Sequence, residues 1–303
     1  MESAVGMIGL GAIGLPAAKN LMDKGFQVHG YRRSSMDEFA AAGGRPAKSP
    51  RELAAQCSVI FTCLPNADAL VEVITGPNGI LAAGRRDVVV VDLSMLKLSD
   101  KERMRDAMAR GNGSLLDAPL SGLPRMVKER TAVIFTSGDK EVYEIAKPAL
   151  DGITDKALYL GEFGVGSKMK FAANLLVGVH ILVAAETLAL TAKAGLPLDQ
   201  VIKVLSPSAA SSLQFQVRAP MMAQQNWDTA LATVTLFLKD LETIAGFADE
   251  IGCPAPLIHT VRDYYARAVE QGLGDKDVAA VYAVVAKESG VSEGKTAASA
   301  AKQ

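Results

Sequence analysis

The sequence predicts an α/β fold: a doubly wound parallel sheet followed by an all-helical C-terminal domain, the two linked by a long helix. Three observations carry this expectation. Through the first half of the 303 residues, short apolar runs alternate with helical patterns. Such alternation means strand–helix–strand crossovers and a parallel sheet buried on both faces. Beyond about Gly161 no convincing strand appears, and residues 167–194 are long, apolar and helical in period.

The elements follow in order. Residues 5–10 read as a buried strand, 15–24 as a helix stopped by Gly25, and 26–31 as the next strand. Residues 49–56 read as a short helix with Ser49 as N-cap and Pro50 at its first position, where proline is best tolerated. Residues 59–64 form a strand ended by Pro65, 88–93 the strongest strand, and 133–136 another. Further helices are expected over 197–205, 229–251 and 255–271. We place the domain boundary within 161–166, giving a nucleotide-binding domain over 1–163 and an all-helical substrate and dimerisation domain over 164–288. The tail, 289–303, is Ala, Lys, Ser and Gly without periodicity, and is expected to be disordered.

Composition narrows the function. Hydrophobic residues make up 49% and charged residues 21%, a globular balance. Lys and Arg total 32 against 33 Asp and Glu, so the basic excess of a nucleic-acid or anionic-membrane binder is missing. Cys57, Cys63 and Cys253 are too few for a disulfide framework and lack zinc-ligand spacing, which suits reduced thiols in a cytoplasmic protein. His29, His180 and His259 are too scattered for a metal site, and no metal is expected. Residues 1–10 contain no basic residue, so no secretory signal is read there. The best membrane candidate, 171–185, includes Asn174 and His180 and falls short of the ~20 apolar residues of a span, so a buried core helix is expected.

The most informative local pattern is Gly9-Leu10-Gly11-Ala12-Ile13-Gly14, lying between the first strand and the first helix. Gly9 permits a tight turn, Gly11 lets a pyrophosphate approach the backbone, and Gly14 lets helix and strand pack closely. The helix N-terminus then meets the anion with free N–H groups and a favourable dipole. This is the dinucleotide fingerprint of a Rossmann domain in the context it requires. An NAD site places an acid at the end of the second strand to hold the ribose 2′-hydroxyl. Here the chain reads Tyr31-Arg32-Arg33-Ser34-Ser35, with no acid before Asp37. Guanidinium groups and hydroxyls suit a 2′-phosphate. NADP is therefore the expected cofactor, with NAD as the lesser alternative. Leu64, Pro65, Ser94 and Lys239 are further candidates for cofactor contact.

These motifs resemble the β-hydroxyacid dehydrogenase family, which includes 3-hydroxyisobutyrate dehydrogenase, tartronate semialdehyde reductase and threonate dehydrogenase. The glycine-rich loop with Asn20, Leu21 and Gly25 resembles its cofactor motif. Asp117-Ala-Pro-Leu-Ser-Gly122 resembles its substrate motif, and Gly164-Val-Gly-Ser-Lys-Met-Lys170 with Asn174 its catalytic motif. Lys239-Asp240-Leu241 resembles its late C-terminal motif. The resemblance implies hydride transfer between nicotinamide and a carbinol or carbonyl carbon. It implies Lys170 as general acid or base, Asn174 as an orienting group, and Ser121, Gly122 and Leu123 at the substrate's carboxylate. It also places Lys239 at the active site. The substrate would be a small carboxylated molecule, and the assembly a homodimer or homotetramer.

The residues point the same way without the resemblance. Lys170 and Asn174 are four apart and share a helix face. Phe171, Leu175, Leu176 and Val179 are expected to surround them, and a lysine desolvated in this way gives up its proton more readily. Three positions depart from the family pattern: Leu123 for a second glycine, Arg130 for the glycine before Thr131, and Met95 for threonine. Leu123 raises the question of a changed backbone or pocket, and Arg125 reads as a solvated loop arginine or as a cationic contact to an acidic substrate. The hydroxyls of Ser208, Ser211 and Ser212 suit either a polyhydroxylated substrate or a turn and helix cap. Two other readings compete. An imine reductase typically lacks the lysine at position 170. A non-catalytic NADP(H)-binding protein would have no need of Lys170, Ser121 and Asn174 together.

Overall fold

The structure, a computed structural model, describes residues 4–291. Most of the tail expected to be disordered lies outside the described residues. The chain forms two compact units that divide after Phe171.

Among its described residues the first unit holds nine strands: β1 (Ala4–Ile8), β2 (Gln27–Tyr31), β3 (Arg45–Pro46), β4 (Val59–Thr62), β5 (Val89–Asp92), β6 (Ser114–Asp117), β7 (Leu120–Ser121), β8 (Val133–Thr136) and β9 (Ala157–Tyr159). Its helices are α1 (Gly14–Asp23), α2 (Asp37–Ala41), α3 (Pro50–Gln56), α4 (Ala67–Thr75), α5 (Leu98–Arg110), α6 (Pro124–Lys128) and α7 (Lys140–Ile153). Six strands make one sheet in the order β3-β2-β1-β4-β5-β6, every pair parallel. This is the doubly wound order, with its switch point between β1 and β4. A second sheet, β7-β8-β9, stands beside it.

The apolar strands read as continuous runs because both faces are covered. Val5, Met7, Val59, Phe61, Val89 and Val91 pack on one face with Leu15, Leu21, Ala146 and Leu150 of α1 and α7. Ile8, Ile60 and Val90 pack on the other with Leu53, Leu70, Ile74 and Met104 of α3, α4 and α5. Helix ends follow local chemistry. Ser49 caps α3 by accepting from the Glu52 N–H at 3.1 Å, and Gly25 after α1 has φ +84°.

Two of the departures find an explanation in the backbone. Leu123 has φ −85° and ψ 161°, extended geometry that any residue adopts, so the missing glycine leaves no strain. Arg130 sits in the left-handed region at φ +59°. Its guanidinium donates to the carbonyls of Asp151 (2.7 Å) and Gly152 and to the carboxylate of Asp155 (2.6 Å). Arg130→Ala keeps the backbone cost and loses those bonds, so we expect it to destabilise by about 1–3 kcal/mol. Arg130→Gly should lose less, because glycine removes about 1–2 kcal/mol of left-handed strain. Urea unfolding of the two variants gives the order; a glycine variant weaker than the alanine variant would contradict it. Arg125 is solvated as expected but lies on helix α6 rather than in a loop, where it pairs with Glu129 across one helical turn.

Helix α8 (Val165–Lys193) begins in the first unit and continues into the second. At 29 residues it exceeds the 15-residue apolar run read from the sequence, and by length and composition it could cross a membrane. Buried Lys170 and Asn174 on it fit a core helix instead. The second unit continues with α9 (Leu198–Leu205), α10 (Leu213–Ala223), α11 (Val234–Glu250), α12 (Pro256–Glu270) and α13 (Val281–Glu288). Helix α10 was not anticipated. The serine-rich stretch before it is a turn and cap: Ser212 accepts from the Phe215 N–H at 3.0 Å, and Ser208 donates to the Leu205 carbonyl. Arg218 and Asp277 form a buried ion pair at 2.6 Å, and Asp277 also accepts from the Leu231 and Ala279 N–H groups.

Candidate active site

The cofactor candidates of the first unit, all but Lys239, gather at the carboxyl ends of β1, β2, β4 and β5. Gly9 has φ +93°, and a Cβ there would lie 2.1 Å from the Cys63 carbonyl oxygen. A Cβ on Gly14 would lie 1.9 Å from the Gly9 carbonyl oxygen. Both glycines are therefore imposed by close backbone packing. Gly11 differs: it is exposed, and a Cβ there would meet nothing within 4 Å. Open space over this residue is what a pyrophosphate approaching the loop needs. Ile13 precedes α1 without a side-chain cap, so the helix end is not covered from within.

The end of β2 divides the work of the two arginines. Arg32 donates to the carbonyl of Leu10 at 2.8 Å and to that of Ser35, so it ties the glycine-rich loop to the β2 turn. Arg33 and Ser34 are exposed. Asp37 is taken up by the Ser35 hydroxyl, 2.6 Å away. At the end of β4, the Leu64 N–H donates to Ser94 Oγ at 2.8 Å, and Ser94 Oγ donates to Asp92 at 2.7 Å. Pro65 is exposed beside them. The Cys63 thiol is pushed up to about 12 by burial and by Asp92, against the N–H of Gly14, which lowers it. It is a neutral packing group at physiological pH.

Lys170 is 9% exposed, whereas neighbouring Lys168 is exposed. The Lys170 ammonium lies 3.4 Å from Ser121 Oγ on β7. Tight packing makes this approach possible. Gly164 has φ +93°, and a Cβ on Gly166 would lie 2.1 Å from the Phe135 carbonyl oxygen of β8. Gly122 is similarly constrained, its Cβ position falling 2.8 Å from that of Ala132. The apolar surround differs in part from expectation. Phe171 is buried, but Leu176 is exposed, because a residue six positions on lies about 120° around a 3.6-residue helix from Lys170. One turn beyond Lys170, Asn174 donates from Nδ2 to the Asp240 carboxylate at 3.2 Å, within the second unit. Lys239, also of the second unit, is half-buried on α11. Asp240 stands in the Lys239-Asp240-Leu241 motif, from which no role for it follows. Its position next to a candidate lysine was the available signal.

The sequence reading missed one further group entirely. Lys101 of α5 is fully buried between Asp92 (3.0 Å) and Asp117 (2.8 Å). Burial alone would depress its pKa, but the two carboxylates outweigh this and hold it above the ordinary lysine value. The contribution of the ammonium is therefore complete below the unfolded-state value and lost only as pH rises through the higher folded one. Among the described residues, no group of three or more His, Cys, Asp and Glu side chains is placed to hold a metal.

A phosphate-binding glycine loop at the switch point of a parallel sheet, with a buried lysine against a serine, defines an NAD(P)-dependent oxidoreductase. Comparison with known proteins gives the family. Residues 4–161 match the NAD binding domain of 6-phosphogluconate dehydrogenase, and 164–285 the family described as NAD-binding of NADP-dependent 3-hydroxyisobutyrate dehydrogenase. An L-threonate dehydrogenase of Cupriavidus necator is 34% identical, covering 93% of this chain and 95% of that protein. The chloroplastic glyoxylate/succinic semialdehyde reductase 2 of Arabidopsis thaliana is 30% identical, covering 92% and 78%. A 3-hydroxyisobutyrate dehydrogenase structure from Salmonella typhimurium superposes with TM-score 0.85 at 28% identity, covering 93% and 100%. The chain belongs to the β-hydroxyacid dehydrogenase family, and it is an NAD(P)-dependent dehydrogenase of the hydroxyacid type.

Proposed function

We propose that the enzyme uses NADP(H) and interconverts a small carboxylated aldehyde and its β-hydroxy acid, with Lys170 as the general acid/base. The observation that carries this reading is the buried Lys170 ammonium 3.4 Å from Ser121 Oγ. The nicotinamide, when bound, supplies or accepts the hydride. Lys170 donates a proton to the carbonyl oxygen in reduction and removes it in oxidation. Ser121 and the backbone at Gly122 and Leu123 hold the substrate carboxylate. Asn174 orients the reacting oxygen, with its amide nitrogen engaged by Asp240. Lys239 is assigned to the same chemistry through the family motif.

The NADP assignment rests on exposed Arg33 and Ser34. Arg32 acts one step back, since its guanidinium is held by backbone carbonyls. We further propose a cytoplasmic homodimer or homotetramer that binds neither nucleic acid nor membrane. Unpaired cysteines support the compartment. Exposed Met169, Leu176, Val183 and Leu190, seven residues apart along α8, support assembly.

Titration with NADPH and NADH, followed by nicotinamide fluorescence, tests the cofactor. NADPH should bind about 10–100-fold tighter, the worth of hydrogen bonds to a charged phosphate. Preference for NADH would overturn the reading of Arg33 and Ser34. Binding of neither would overturn the enzymatic reading.

A further inference from the structure

Lys101, Asp92 and Asp117 are all fully buried. The dehydrogenase chemistry proposed above does not use them. Burying three charges is costly, and a buried ion pair is often no more stable than an apolar replacement. What the three groups connect is specific.

On one side of Lys101, Asp92 Oδ1 accepts from the hydroxyls of Thr62 and Ser94, both at 2.7 Å. Ser94 Oγ in turn receives the Leu64 N–H. This arm ends in the loops assigned to the cofactor. On the other side, Asp117 Oδ1 accepts from the Ser167 hydroxyl and Asp117 Oδ2 from the Ser167 N–H, each at 2.7 Å. Ser137 Oγ donates to Asp117 Oδ2 at 3.2 Å and accepts from the Gly166 N–H at 2.9 Å. This arm ends in the first turn of α8, three residues before Lys170. The first N–H groups of a helix have no partner within it. Here two of them, at Gly166 and Ser167, are satisfied by the strand ends through Ser137 and Asp117. The surplus negative charge of the triad also faces the positive end of the α8 dipole.

We propose that Lys101 is a positioning residue: its ammonium holds the two carboxylates so that the cofactor loops and the first turn of α8 keep one fixed relation, setting Lys170 against Ser121. This inference rests on the hydride-transfer reading. Lys101→Met keeps the side-chain length and removes the charge. Lys101→Met/Asp117→Asn also removes one of the two carboxylates left without their cation, and guards against a variant that simply fails to fold.

Two readouts are required. Hydrogen exchange, read by mass spectrometry over 165–171, reports the helix turn without needing activity. Single-turnover hydride transfer and its pH profile report Lys170. In both variants we expect protection to fall at 165–171 more than in the β1–β2 and α7 segments. Single-turnover rate should fall about 10²-fold, the effect of misplacing a reacting group by roughly 1 Å, with a displaced pH limb. Unchanged protection at 165–171 would overturn the inference. So would recovery of the full rate and pH profile in the double variant, which would make Lys101 a charge balance only. A wild-type protein that transfers no hydride while Lys101→Met still frees 165–171 would instead defeat the functional reading.

Discussion

Lys170→Met is expected to lower single-turnover hydride transfer by about 10²–10⁴-fold, the range supplied by a positioned general acid or base. Nucleotide affinity should stay near the wild-type value, because the residues assigned to phosphate and ribose lie at the glycine-rich loop and the end of β2. Stability should not fall, since a buried ammonium is replaced by an apolar chain of similar length. The combination is diagnostic. A lysine that merely reached solvent from a helix start would give a variant with normal turnover. Lys168 serves as the control: it is exposed two residues earlier, and Lys168→Met should turn over normally. Stopped-flow measurement with saturating reduced nucleotide separates the two. Near-normal transfer in Lys170→Met would remove the assignment.

Gly9→Ala is expected to destabilise the unliganded protein by about 2–5 kcal/mol and to abolish nucleotide binding. The added Cβ would lie 2.1 Å from the Cys63 carbonyl oxygen, a backbone atom that cannot rotate away. The backbone also holds φ +93°, which an L side chain rarely adopts. Gly11→Ala should behave differently, because its Cβ would meet no protein atom within 4 Å. Its unliganded stability should be unchanged within experimental error, and only nucleotide affinity should fall. Urea unfolding without nucleotide, followed by fluorescence titration, measures both effects. A Gly11→Ala variant that unfolds as readily as Gly9→Ala would contradict the account of the loop.

What was legible in the sequence was local. The Ser49 cap, the Gly25 stop and the strand–loop–helix of Gly9–Gly14 depend on neighbours a few residues away, and the structure places them as expected. The apolar strands were legible because burial on both faces removes polar residues from them. Lys101 was hidden for the opposite reason. Its helix is rich in charge, and the partners that hold it lie 9 and 16 positions away on two strands. One trace was present: Lys101, Met104 and Met108 follow the i, i+3, i+7 spacing of a buried stripe, and all three are buried. A lysine in that register calls for a buried acid. Arg32 and Arg33 look alike in sequence, and only the Leu10 and Ser35 carbonyls separate them. The serines of 206–212 were ambiguous because a hydroxyl that caps a helix and one that meets a sugar acid are the same residue type.

The proposed reaction is hydride transfer between the nicotinamide and a carboxylated substrate at Lys170. Its most direct test uses NADPH carrying deuterium at the transferable C4 position, with a panel of small carboxylated aldehydes and product analysis by mass spectrometry. The account predicts one deuterium on the carbinol carbon of the hydroxy acid formed, and loss of that product in Lys170→Met. A protein that binds NADPH tightly yet labels no member of the panel, or labels it equally in Lys170→Met, would contradict it.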